Sequence, residues 1–380
     1  TSTSNGTYNG ATHNNGTLDL DGSGTCLTVS ANGTLSAPRG NLDLNDDLLV
    51  NGTFTHNNGK VRAVSATAES IQINAGTTNK PITFYNLEAN TGYVIFRGSS
   101  VTYTVENILS ATTRFPQIRP LDGTVSLQLG TTSSAGGLTG NAIQFTSNGT
   151  NFAEIKAASS LYPWTAATAP DFDSGGAGSK VRIADCDMDP DITTGGGGVT
   201  LTLTGDCEFD AVTVSSGDTL DLNGQRAEFS GIFRNNGTMN STGGGLMICN
   251  SNLIQTGVAE YLHDGDVNVI SSGGVGNDYS LGAGNSPQGP WARNLLITGD
   301  VTSNAHFGDS INRFSPENII VGNGTFTMAN SASFATNVTV ATGGTLVPPS
   351  SNSLTVAGDL TMSGGLIGKS ALVFDNSGDY

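Results

Sequence analysis

Positive charge is scarce in this sequence. Fifteen lysines and arginines stand against 32 aspartates and glutamates, a formal net charge of −17. The cations form no cluster, which excludes the electrostatic footprint of a nucleic-acid binder. They are also too sparse for the substrate-carboxylate clamps of a typical polyuronate lyase. Cysteine is limited to Cys26, Cys186, Cys207 and Cys249. That is too few to frame a chain of this length with disulfides, and no Cys-x-x-Cys pair points to zinc. No apolar run is long enough to cross a bilayer, and an acidic surface repels anionic membranes, so no membrane insertion is expected. No leader is visible before Thr1, which suits a processed chain or a fragment. Helical spacing is missing as well: no ten-residue stretch carries apolar residues at i, i+3, i+4 and i+7.

What the sequence does have is glycine, 52 of 380 residues, with abundant Asn, Thr and Ser. These residues favour turns over helix interiors. Between the turns lie short runs of period-two alternation, such as "VTLTLTG" at 199–205 and "NVTVATGGTLV" at 337–347, the pattern of many short strands. Two units recur. One is Asn before a short apolar alternation: "NLEA" at 86, "NILS" at 107, "NLLI" at 294, "NIIV" at 318 and "NVTV" at 337. The other is a Gly-Thr turn opening a strand: "NGTLSA" at 32, "NGTFTH" at 51, "NGTMNS" at 236 and "GGTLVP" at 343. "THNNG" occurs twice, at 12–16 and 55–59.

A degenerate period near 20 with several strands per period predicts an all-β, right-handed parallel β-helix (β-solenoid) with roughly 20-residue coils. One coil cannot bury its own apolar face, but a stack makes one continuous core. About 15 coils at roughly 4.8 Å each would give a rod of about 70 Å. Asn at a fixed coil position would stack into a hydrogen-bonded ladder; simple turn formation explains it equally well. Coils are expected over 1–150, 181–272 and 318–380. Stretches 151–180 and 273–317 break the rhythm and are expected to loop off one face, the second with one strand, where function tends to reside.

The stretches "FYNLEANTGYVIFRGSSVTYTVENI" (84–108) and "NIIVGNGTFTMANSASFATNVTVATGGTL" (318–346) resemble the coils of β-helix repeat proteins. Such coils occur in phage tail fibres and tailspikes and in secreted bacterial adhesins. The resemblance implies architecture far more than activity.

Candidate chemistry falls in two groups. "ADCDMD" (184–189) and "GDCEFD" (205–210) place their cysteines 21 residues apart. Strand alternation puts Cys186, Met188, Cys207 and Phe209 inward and Asp185, Asp187, Asp189, Asp206, Glu208 and Asp210 outward. One coil apart, these carboxylates would suit Ca²⁺, a glycosidase acid/base pair, or a hydrated acidic patch. The cysteines, with Cys249 a further 42 residues on, would share one inward ladder, as free thiols or with a Cys186–Cys207 disulfide. The second group is aromatic. Tyr162 and Trp164, and Tyr279 and Trp291, sit in the interruptions. They would either stack on sugar rings or plug back onto the core. "DLDGSG" at 19–24 opens like a calcium loop but has Ser30 where an EF-hand needs Glu. The histidines are scattered, and no Ser-His-Asp arrangement is evident.

The sequence therefore reads as an extracellular structural or adhesive solenoid without enzymatic activity, on a virion surface as a tail fibre or tailspike, contacting host glycans through its loops. A secreted bacterial or archaeal adhesin or filament subunit, and a glycan-cleaving enzyme on the same scaffold, are the alternatives. Self-association as a trimer or filament is expected, with no cofactor required beyond an optional Ca²⁺.

Overall fold

A computed structural model describes residues 2–4, 7–9, 17–20, 25–65, 70–76, 79–147, 149–172, 178–241, 243–251, 253–255, 260–262, 265–270, 278–279, 293–303, 316–328, 333–351, 353–368 and 372–374. Among these residues there is no helix, and stacked parallel strands form a β-solenoid of about 12 turns. The count falls below the roughly 15 expected because several turns are longer than 20 residues. Ile108 pairs with Gly137 and Thr124 with Phe152, whereas Asn318 pairs with Asn337. The strands divide between two compact units, Thr1–Pro190 with Gly197–Asp206, and Asp191–Gly196 with Cys207–Tyr380.

In the first unit, parallel ladders run through Asn41–Leu44, Lys60–Ala63 and Ile82–Ala89, then through the long strands Tyr93–Ala111 and Pro116–Leu129. Alternation is strict enough to fill the core: Ile71 and Ile73, Val94 and Phe96, and Val125 and Leu127 all face inward and are buried. Tyr103 is buried among them. Its hydroxyl donates to the Ile73 and Arg97 carbonyls and accepts the Ala75 N–H at 3.1 Å, so its polar end is satisfied and burial pushes its pKa up.

The stretch 151–180 was expected to loop out. Instead Phe152–Ala157 and Trp164–Ala166 join the ladders, paired with Thr124–Leu129 and Gly137–Leu138. Each strand is too short and too polar at its ends to announce itself. Of the other expected interruption, Asn294–Thr298 and Val301–Ser303 are described strands, and 304–315 lies outside the described residues.

In the second unit the turns are regular. Cys207 pairs with Ala227, Arg226 with Leu246 and Leu246 with Asp266, a constant 20 residues apart. Phe209 and Phe229 stack with centroids 5.6 Å apart, and Phe233 tilts against Phe229 at 4.7 Å. At one corner Asp218, with no exposed surface, accepts the Thr194 hydroxyl at 2.6 Å and the Gly196 N–H at 2.8 Å. These bonds satisfy a carboxylate that burial alone would make costly.

The Gly-Thr turn has a steric cause. A Cβ on Gly237 would lie 2.4 Å from the Ser215 carbonyl oxygen, and one on Gly52 would lie 2.3 Å from that of Gly33. The corner therefore touches the turn beneath it, and only glycine fits. The following threonine N–H then bonds down a turn, Thr53 to Gly33 at 3.0 Å and Thr238 to Asp218 at 2.8 Å.

The Asn units stack as expected. Asn107 donates to Asn86 at 2.9 Å in the first unit. In the second, Asn337 donates to Asn318 (2.8 Å), Asn318 to Asn294 (2.7 Å) and Asn294 to Asp266 (2.7 Å), while the Asp359 N–H donates to Asn337. "THNNG" at 55–59 is a turn: Asn57 and Asn58 have φ of 48° and 60°, and Asn57 donates to the Ser36 hydroxyl and the Ala37 carbonyl. Its copy at 12–16 lies outside the described residues.

Candidate functional site

The acidic segments face as the alternation predicts, with one exception. Cys186, Met188, Cys207 and Phe209 are buried, and Asp187, Asp189, Asp206 and Glu208 are exposed. Asp185 does not belong to that series. It is the corner between Lys180–Ala184 and Cys186–Met188, with a φ of 52°. Its carbonyl accepts the Trp164 N–H at 3.0 Å, and its half-buried carboxyl is pushed up in pKa by desolvation and then by Asp206.

In the second unit Glu208 accepts Arg226 at 3.2 Å and Asp210 accepts the Ser230 hydroxyl at 3.1 Å. Among the described residues no three His, Cys, Asp or Glu side chains gather to hold a metal ion. Ca²⁺ takes six to eight oxygens. The six residues Asp185, Asp187, Asp189, Asp206, Glu208 and Asp210 therefore do not fit a calcium cage, and no step is drawn through one. In the "DLDGSG" segment, 21–24 lies outside the described residues.

The cysteines are buried free thiols, so the bridged alternative does not form. They do not all share one ladder. Cys207 stacks on Ala227 and, through it, Met247, whereas Cys249 stacks on Phe229 in the neighbouring column. Two turns of 20 leave Cys249 two residues further along its strand, still facing inward.

The aromatics divide too. Trp164 has 0% exposure, and its indole N–H donates to the Ala184 carbonyl at 3.0 Å, so its ring packs into the core and offers no face to a sugar. Tyr162 remains 38% exposed, in a turn where its N–H bonds the Ser159 carbonyl, beside the exposed Leu161. Tyr279 lies on the strand Asp278–Tyr279, its side chain outside the described residues, as is Trp291 altogether. Among the histidines, His56 accepts the Asn58 N–H at 3.0 Å and approaches Glu106 at 3.4 Å, a turn-locking role.

Composition hid a different surface, on the first unit. The strand segment Tyr93–Arg97 turns Tyr93, Ile95 and Arg97 outward, and 22 residues later Phe115, Gln117 and Arg119 stack on them in register. Tyr93 and Phe115 meet edge to face at 4.7 Å, and the Arg114 guanidinium lies over Tyr93 at 4.9 Å and donates to its hydroxyl at 3.0 Å. Gln117 donates to Gln144 (2.7 Å) and Gln144 to Asp171 (2.9 Å). Arg97 donates to Gln72 at 2.7 Å. Two five-residue alternations, "YVIFR" and "FPQIR", carried the signal: aromatic, then Ile or Gln, then Arg, at every second position.

The fold thus defines the class, a parallel β-solenoid repeat protein. No family model matches the chain, and the searches of curated proteins and of solved structures find no match either.

Proposed function

We propose that the chain is a non-enzymatic extracellular element of a virion surface, of the tail-fibre or tailspike kind, which self-associates and touches host glycans. The observation that supports this reading is the regularity of the ladder. Successive turns repeat one inward pattern and bond outward residue to outward residue, through Asn294, Asn318 and Asn337 and through Gln117 and Gln144. Such repetition supplies mechanical continuity and a long surface, which an attachment protein needs.

Light scattering and negative-stain imaging of the purified chain test the assembly: trimers or filaments are expected, and a dilution-stable monomer counts against it. Incubation with a broad panel of surface glycans tests the rest. Retention on a glycan without new reducing or unsaturated ends is expected. Release of such ends would replace this reading with the glycan-cleaving one.

A further inference from the structure

From the outward array on the first unit, we infer that Arg97 and Arg119 bind the carboxylate or sulfate groups of an acidic polysaccharide, with Tyr93 and Phe115 as the adjoining stacking platform. This rests on the glycan-contact reading and narrows it to a chemical class.

The argument begins with unbalanced charge. Arg97 and Arg119 are register partners, side by side on adjacent turns. Like charges so placed repel. In a chain of net charge −17, carboxylates to neutralise them are plentiful, yet neither residue, nor Arg114 beside Tyr93, makes an ion pair. The acids flanking the array are engaged: Asp47 accepts the Gln72 N–H at 2.6 Å, and Asp171 accepts Gln144. Arg97 meets only a neutral amide, and Arg119 is exposed. Two planar guanidinium forks one turn apart form a receptor for anions repeated along a polymer, because each fork matches a carboxylate or sulfate bidentately.

The surroundings fit a sugar polymer better than a small anion. The array is open rather than enclosed, so a lone anion would stay hydrated there. Beside the arginine column runs a groove of about 880 Å³, lined from turn to turn by Thr28, Leu49, Asn74, Gly98 and Leu121. It follows the stack, as an extended chain would. The half-buried Tyr93 and Phe115 rings and the nearly covered Ile95 add apolar surface for a pyranose face, with Gln117 as an amide neighbour.

The test uses the full chain and three immobilised polymers: sodium polygalacturonate, dextran sulfate and neutral dextran. An acidic protein has no general attraction for a polyanion, so binding is itself informative. Binding of at least one acidic polymer, weakening as salt rises, is the expected result. The Arg97→Gln/Arg119→Gln double variant should weaken it by about tenfold or more. Arg119→Gln alone should weaken it measurably with unchanged circular dichroism, and Arg234→Gln, exposed on the second unit, should leave it unchanged. The carboxylated and sulfated arms identify the anion. Binding to neither acidic polymer, or binding that survives the double variant, overturns the inference. Retention on neutral dextran alone overturns it and leaves glycan contact standing. Glycan contact falls only if the broad panel fails as well.

Discussion

The run Cys207–Val269 and the run Ile82–Leu129 are built by the same stacking rule with different results. In the first, strands of three to five residues recur every 20 positions, with no shift in register. Outer side chains there pair across turns: Arg226 holds both Glu208 and Glu228, and Asn250 donates to Glu228 at 2.6 Å. In the second, strands of 8, 19 and 14 residues follow one another, and register slips between Phe84 and Asn86 and on both sides of Ser99. Each slip is a bulge that bends the sheet and re-aims the residues after it. Regular turns neutralise their own surface. Bulged, elongated turns leave side chains such as Arg119 and Tyr93 facing outward without a charge partner.

The sharpest way to break the regular run is at its core. Phe229→Ala should cost about 3–5 kcal/mol, read as a shifted urea midpoint, because the ring touches Phe209 and Phe233 and the regular turns above and below cannot close the cavity. Next is the corner: Gly237→Ala should cost about 1–3 kcal/mol, since its Cβ meets backbone rather than a movable side chain. A cost near zero would mean that the tight corner is not what sets the constant step. In the bulged run, Tyr103→Phe should cost about 1–2 kcal/mol, because the Ala75 N–H and two carbonyls lose their partner.

Smaller effects sharpen the contrast at the surface. At Asp185 the folded-state pKa is raised, so ionisation weakens the fold above it, and the penalty vanishes as pH falls toward the ordinary value of 3.8. Asp185→Asn, which tolerates the positive φ, should therefore raise the melting temperature near neutrality and bring no gain in acid. A melt series across that range checks it. Arg119→Gln should change stability by less than about 0.5 kcal/mol, since no partner is lost.

Much of this fold was legible in the sequence. Asn at the head of an apolar alternation marks a coil position, and the structure stacks Asn294, Asn318 and Asn337 amide to amide. Inward placement of Cys186 and Cys207 followed from alternation alone. What was not legible came from phase. A spacing of 42 looks like two turns of 21, but the turns are 20, so Cys249 falls one column over. Asp185 shares the period-two pattern of its neighbours, yet a corner interrupts the strand there. Trp164 looked like a loop aromatic because prolines and glycines surround it; only its pairing with Cys186 places it inside. The arginine array was written in the sequence, but composition concealed it: cations rare along the chain are adjacent once turns of 22 are stacked.

The Asn column carries a further consequence. Every amide in it donates toward Asp266 and accepts from the opposite side. A carboxylate can only accept, whereas an amide could serve either way. Asp266 thus acts as a one-way stop that gives the whole column a polarity, and an Asn there would leave each rung free to reverse. One residue in one turn decides how side chains are oriented in the three that follow.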